Sequence, residues 1–292
     1  MNYLKPLPHQ QLDLFIDTQS SQLLNRILDG LLAYNTDAAS LALRQLKVMS
    51  PEDPVLPDLQ ILMEGLELRD VDLRENFIHG QSVIQPLADR WFKHDSMRWM
   101  ASYWKLLASH SLSSLVSVAD LPLNELHPAS LFLRAGAYQS ARDTIAALPG
   151  WWQQRVTLDW MLSSLLQERS LDTAWSLVFE LAWLCPETCI SRIESSSITR
   201  LKDAHNDFEM QLPAESEQDT VWFPAWMLLR EPALLPLVKT TRYPPQASWG
   251  QAFETTMNML TDSIKGKNST PDQYRRQLQS LHPGLLQALL GN

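Results

Sequence analysis

Between residues 20 and 48 the apolar positions fall into adjacent pairs four residues apart: Leu23 and Leu24, Ile27 and Leu28, Leu31 and Leu32. That spacing draws a broad apolar stripe along one side of a helix. Asn35 and Thr36 interrupt it. A second helix then carries Ala39, Leu43, Leu46 and Val48 until Pro51 and Pro54 close it. With so short a break between them, the two helices are expected to pack antiparallel.

The same period returns along the chain. Residues 55–68 and 81–92 predict further helices, and residues 95–108 place Trp99, Met100, Tyr103, Trp104 and Leu107 on one face behind Asp95 as an N-cap. Pro128 suits a first helical position, and Gly136 suits the left-handed residue that ends that helix. A partner helix runs from about Tyr138 to Leu148, where Pro149 and Gly150 stop it. Residues 151–167 and 171–184 follow, the second closed by Pro186, with further helices near 187–199 and 200–211. Alternation of period two never persists beyond about four residues, so the expected fold is all-α, with stacked antiparallel helix pairs.

Gln211 to Thr220 is polar, acidic and proline-bearing, which marks a linker. It divides residues 1–212, expected to be a helical-repeat domain, from residues 213–292, a proline-rich helical region packed on the repeats or capping them. Pro224, Pro232, Pro236, Pro244 and Pro245 keep helices short there. A longer helix is expected near 247–264, and a last one with Thr270 as N-cap runs to about Leu281.

Three of these pairs share a frame. Gly136 is followed by Tyr138 and Ala141, then by Ile145 and Leu148. Leu171, Ala174, Val178, Leu181 and Pro186 repeat it with Arg169 in the glycine place, and Ala39, Leu43, Leu46 and Pro51 repeat it with Tyr34 there. The small residues Ala141 and Ala174 lie 33 apart, and Ala39 lies 102 before Ala141, three times 34. The frame resembles the second half of a tetratricopeptide repeat, whose period is 34 residues. The resemblance covers residues 20–51 and 122–186; Ile27 and Leu162 stand where that family has a small residue, although Ala129 fits. It implies an α-solenoid with a concave face lined by the first helix of each pair. In that register Arg134, Asp159, Ser163 and Gln167 are its polar members.

Composition supports helices: glycine is scarce, with 9 residues in 292, while leucine abounds. The net charge of -9 repels a phosphate backbone, so no nucleic-acid partner is expected, and Lys239, Arg242, Lys265, Lys267, Arg275 and Arg276 are too dispersed for a basic patch. No run approaches a membrane span and no signal peptide is visible, so the expected location is cytoplasmic, without a membrane partner. Two cysteines, Cys185 and Cys189, suit a reducing compartment and read as buried free thiols.

No phosphate-loop, dinucleotide, zinc-protease or nucleophile-elbow motif is present, and the seven histidines are scattered, so no metal or cofactor is expected. His205, between Asp203 and Asp207, reads as an exposed helix surface. Tryptophan is the compositional oddity, with eleven. Trp99, Trp104, Trp175 and Trp183 fall in apolar stripes, whereas Trp151 and Trp152 open a helix after Pro149-Gly150 and suit binding as well as core. The leading expectation is a non-enzymatic scaffold or adaptor that holds a protein or peptide through Arg134, Trp151, Trp152, Asp159, Ser163 and Gln167. An enzyme with an active site assembled from dispersed residues and a helical ligand-binding regulator are the alternatives. Self-association through the C-terminal part is a further expectation.

Overall fold

The computed structural model describes residues 8–66, 72–113, 121–212, 217–266 and 271–285, and within these the side chains from residue 19 onward except those of 113, 121–123, 217, 218 and 271. Among these residues every regular element is helical. The chain divides into two compact units, residues 1–137 and 138–292. The proline-rich stretch beyond residue 212 lies within the second of them. Pro213 to Ser216 of the expected linker, and Thr270, the expected N-cap, lie outside the described residues.

The first unit holds α1 (Pro8–Leu32), α2 (Thr36–Met49), α3 (Leu56–Leu66), α4 (Leu73–His79), α5 (Gln85–Phe92), α6 (Ser96–Ser113) and α7 (Pro128–Arg134). The first helix extends well before the apolar stripe that announces it. Asn35 caps α2 by accepting from the Ala38 N–H at 3.0 Å. Helices α1 and α2 approach so closely that a Cβ on Gly30 would stand 2.9 Å from that of Ala39. Their shared inner face buries Leu23, Ile27, Leu31, Ala39 and Leu46, and α6 adds Trp99, Tyr103 and Leu107 to the core of this unit. Helix α4, which the apolar pattern does not announce, starts at Asp72 as N-cap and buries Phe77 alone of its side chains. A π-helical turn, Gly80–Ile84, joins it to α5.

The second unit holds α8 (Tyr138–Ala146), α9 (Arg155–Gln167), α10 (Leu171–Leu184), α11 (Pro186–Ser195), α12 (Thr199–Gln211), α13 (Phe223–Arg230), α14 (Ser248–Ile264) and α15 (Pro271–Leu281). Consecutive helices pack on one another from α8 to α15, and α13 also packs on α10. Its core is aromatic. Phe179 of α10 meets Phe223 of α13 and Phe253 of α14 edge-on, at centroid distances of 6.3 and 5.8 Å.

The three turns of the common frame have one geometry. Tyr34, Gly136 and Arg169 are all left-handed, with φ of 55°, 65° and 57°. In each, the next N–H donates to a carbonyl five residues back: Asn35 to Gly30 at 2.8 Å, Ala137 to Phe132 at 2.9 Å and Ser170 to Leu165 at 3.0 Å. The left-handed residue itself donates to Leu31, Leu133 or Leu166 at 3.0–3.1 Å, which completes a Schellman motif. Five residues on, Ala39, Ala141 and Ala174 are fully buried, so a larger side chain there has no room. Glycine adopts this backbone freely and arginine does not. Arg169 is exposed, so Arg169→Gly is expected to stabilise the protein by about 0.5–1 kcal/mol, even against the extra freedom glycine gains when unfolded. A urea midpoint that fails to rise would contradict this. Tyr34 is a different case, because its hydroxyl donates to the Arg98 carbonyl at 3.0 Å.

Candidate functional site

Helix α2 distributes its apolar side chains over two faces. Ala39, Ala42 and Leu46 point into the core, whereas Leu41, Val48 and Met49 are 55%, 85% and 38% exposed. The apolar positions that announce α2 do not all enter the core. Val48 lies two residues beyond Leu46, about 200° around the helix, and so faces away from it. The exposed side chains line one wall of a groove of about 590 Å³ whose other wall is α1. Leu23 forms its floor, and Gln19, Gln22 and Gln45 stand along its rim with Arg26 and Arg44. Single exposed apolar side chains are ordinary on a protein surface, but a contiguous set lining one concavity marks a site of interaction.

The residues singled out from the sequence have different surroundings. In the first unit, the Arg134 guanidinium lies over the rings of Phe77, at 5.1 Å, and Trp104, at 5.7 Å, and reaches Glu125 at 3.5 Å. In the second unit, both carboxylate oxygens of Asp159 accept from Arg192, at 2.6 and 2.8 Å, in a bidentate pair that joins α9 to α11 and raises the Arg192 guanidinium further above neutrality. Ser163 Oγ is buried without a hydrogen-bond partner among the described residues, and Gln167 is exposed at the end of α9.

Trp151 and Trp152 do not open α9. They form a separate 3-10 turn with Gln153, after a left-handed Gly150, and the Thr157 hydroxyl donates to the Trp151 carbonyl to hold that turn against the helix. The two rings meet edge-on at 6.1 Å and are half-buried. Arg242 lies over Trp152 at 4.6 Å and extends to Glu180, whose oxygens are 3.3 and 3.4 Å from its Nη1. The Arg242 backbone N–H donates to the same carboxylate at 2.9 Å. Neither Glu180 nor Arg242 was legible as a member of this cluster, although an acid within the apolar run Trp175–Leu184 was the available signal.

Glu180 is 6% exposed, and that burial holds its carboxyl above the ordinary glutamate range, while the N–H and charge of Arg242 pull it back down. A carboxyl raised in the folded state favours folding at low pH, and that contribution is lost as pH rises through the folded pKa. Arg242→Ala raises the Glu180 carboxyl further and leaves a buried charge without its cation. The variant is expected to lose about 2 kcal/mol at pH 7. The deficit should shrink as pH falls toward the ordinary glutamate value of about 4.3. Urea titrations across this range check it, and a deficit independent of pH would refute the linkage.

Two further perturbed groups, His205 and Cys189, are core members. His205, rather than lying on the helix surface, is buried against Phe208 and Phe223, and desolvation lowers its pKa. Cys189 is buried with its thiol against the Val178 carbonyl, and burial pushes its pKa up, while Cys185 is only half-buried. Trp99, Trp104 and Trp175 are buried as their stripes predict, and Trp183 is half-buried, donating to the Val221 carbonyl at 3.0 Å. Among the described residues no three His, Cys, Asp or Glu side chains converge as metal ligands, and no helix is long and apolar enough to cross a membrane.

Comparison with known protein families, with curated proteins and with solved structures finds no match for the chain. The groove between α1 and α2 and the arginine–tryptophan cluster are therefore read from their own geometry. The second is internally satisfied, with its cation already shared between a carboxylate and two rings. The first is open.

Proposed function

We propose that the protein is a non-enzymatic interaction module, a scaffold of helix pairs that holds a protein or peptide partner. The observation that carries this reading is the apolar groove between α1 and α2, where Leu41, Val48 and Met49 are exposed side by side. Burying such side chains is worth about 25 cal/mol per Å² of apolar surface removed from water, and a partner that covers the groove gains that term. Helix-in-groove recognition uses this kind of surface. The common turn geometry at Tyr34, Gly136 and Arg169 supports a scaffold built from repeated helix pairs, the architecture in which grooves between helices serve partners.

The test is capture of partners from the native host by the full-length protein and by Val48→Asp. Val48 is 85% exposed, so the substitution removes no core packing while placing a charge on the apolar wall. A partner held through the groove is expected to fall about tenfold or more in recovery. Equal recovery on both proteins would reject this site.

A further inference from the structure

The groove carries charge of one sign. Among the described residues its ionisable lining groups are Arg26 on α1 and Arg44 on α2, both cationic, although the chain as a whole has a net charge of -9. Both arginines are exposed, and neither forms an ion pair among the described residues; Arg44 Nε makes only a long 3.4 Å contact to the Ser40 carbonyl of its own helix. The antiparallel register follows from two close approaches, Gly30 against Ala39 near the turn and Ser20 Oγ to Ser50 Oγ at 3.4 Å at the far end. That register sets Arg26 across the groove from Arg44. Two guanidinium groups on facing walls of an apolar groove offer paired N–H donors to an anionic partner.

Resting on the interaction-module reading above, we infer that the groove receives an amphipathic helix of a partner protein whose apolar stripe is flanked by carboxylates. The stripe lies on Leu23, Leu41, Val48 and Met49, and the carboxylates meet Arg26 and Arg44. Guanidinium binds carboxylate through paired N–H donors, which gives such a helix a defined register as well as attraction. The wall from Leu41 to Met49 runs about 12 Å at 1.5 Å per residue, which matches two turns of a docked helix. A second copy of this chain is a poorer occupant, because a two-fold axis through the groove brings Arg26 and Arg44 of both copies together.

The probe is a displayed library of helical peptides of about 14 residues, with leucine or isoleucine fixed at i, i+3, i+4 and i+7 and every other position drawn from Glu, Lys, Gln and Ala. It is selected against the full-length protein, Val48→Asp, the double variant Arg26→Glu/Arg44→Glu and its neutral counterpart Arg26→Gln/Arg44→Gln. The wild type is expected to enrich Glu over Lys about fivefold or more beside the stripe. The Glu variant should reverse this preference, the Gln variant should abolish it, and Val48→Asp should enrich nothing. Enrichment without a preference between Glu and Lys overturns the charge assignment and leaves apolar docking standing. No enrichment at all, or equal enrichment on Val48→Asp, overturns the docking reading with it. Sedimentation of the wild type as a dimer that Val48→Asp dissociates overturns both by assigning the groove to a second copy.

Discussion

Gly250→Ala is expected to cost about 3 kcal/mol of stability, although alanine is the better helix former by about 1 kcal/mol. Gly250 is the third residue of α14, and a Cβ there would stand 1.9 Å from the Pro244 carbonyl oxygen and 2.7 Å from its carbon. Those atoms belong to backbone that cannot swing aside as a side chain can. The Pro244 carbonyl also accepts from the Ala247 N–H at 3.1 Å, so displacing it breaks the turn that leads into the helix. Propensity and sterics predict opposite signs, and the distances decide for sterics. Urea unfolding followed by circular dichroism should show a lowered midpoint, and a midpoint at or above that of the wild type would refute the close approach.

Phe179→Ala should cost about 4 kcal/mol, near the middle of the range for truncating a buried aromatic side chain. The ring is fully buried, and its neighbours come from three helices: Trp175 of α10 at 5.8 Å, Phe223 of α13 and Phe253 of α14. Its removal leaves a cavity whose walls belong to separate helices, each anchored by further aromatic contacts. Phe208, for instance, holds Phe223 at 5.4 Å and Trp226 at 5.5 Å, which restricts how far α13 can collapse into the space. Trp152→Ala, at a half-buried position, should cost clearly less. Equilibrium unfolding of the two variants checks the contrast, and a Phe179→Ala penalty under about 1 kcal/mol would show that the helices repack around the lost ring.

Local features were legible from the residues, and long-range ones were not. Most helices follow from apolar spacing and from Pro128, Gly136 and Pro186, because helices and their caps are decided within a few residues. The frame that put Tyr34 and Arg169 in the place of Gly136 anticipated a backbone that neither residue favours. Helix α4 escaped notice because one buried phenylalanine makes no stripe. The ion pairs Asp159–Arg192 and Glu180–Arg242 join residues 33 and 62 apart, and no local pattern specifies them. The groove was not legible for a simpler reason. Val48 is as apolar as Leu46, and only the angle between them around α2 separates a wall of the groove from the core.

That wall is also where the account is most exposed to refutation. Methyl spectra of protein labelled at leucine, valine and methionine, recorded as an acidic peptide from the selection is titrated in, report each wall residue separately. The account predicts that the Leu23, Leu41, Val48 and Met49 methyl signals shift together and saturate, while those of Leu158 and Met227 in the second unit stay in place. Saturable binding that leaves the four groove methyls unmoved, with the shifts gathered elsewhere in the protein, would contradict it.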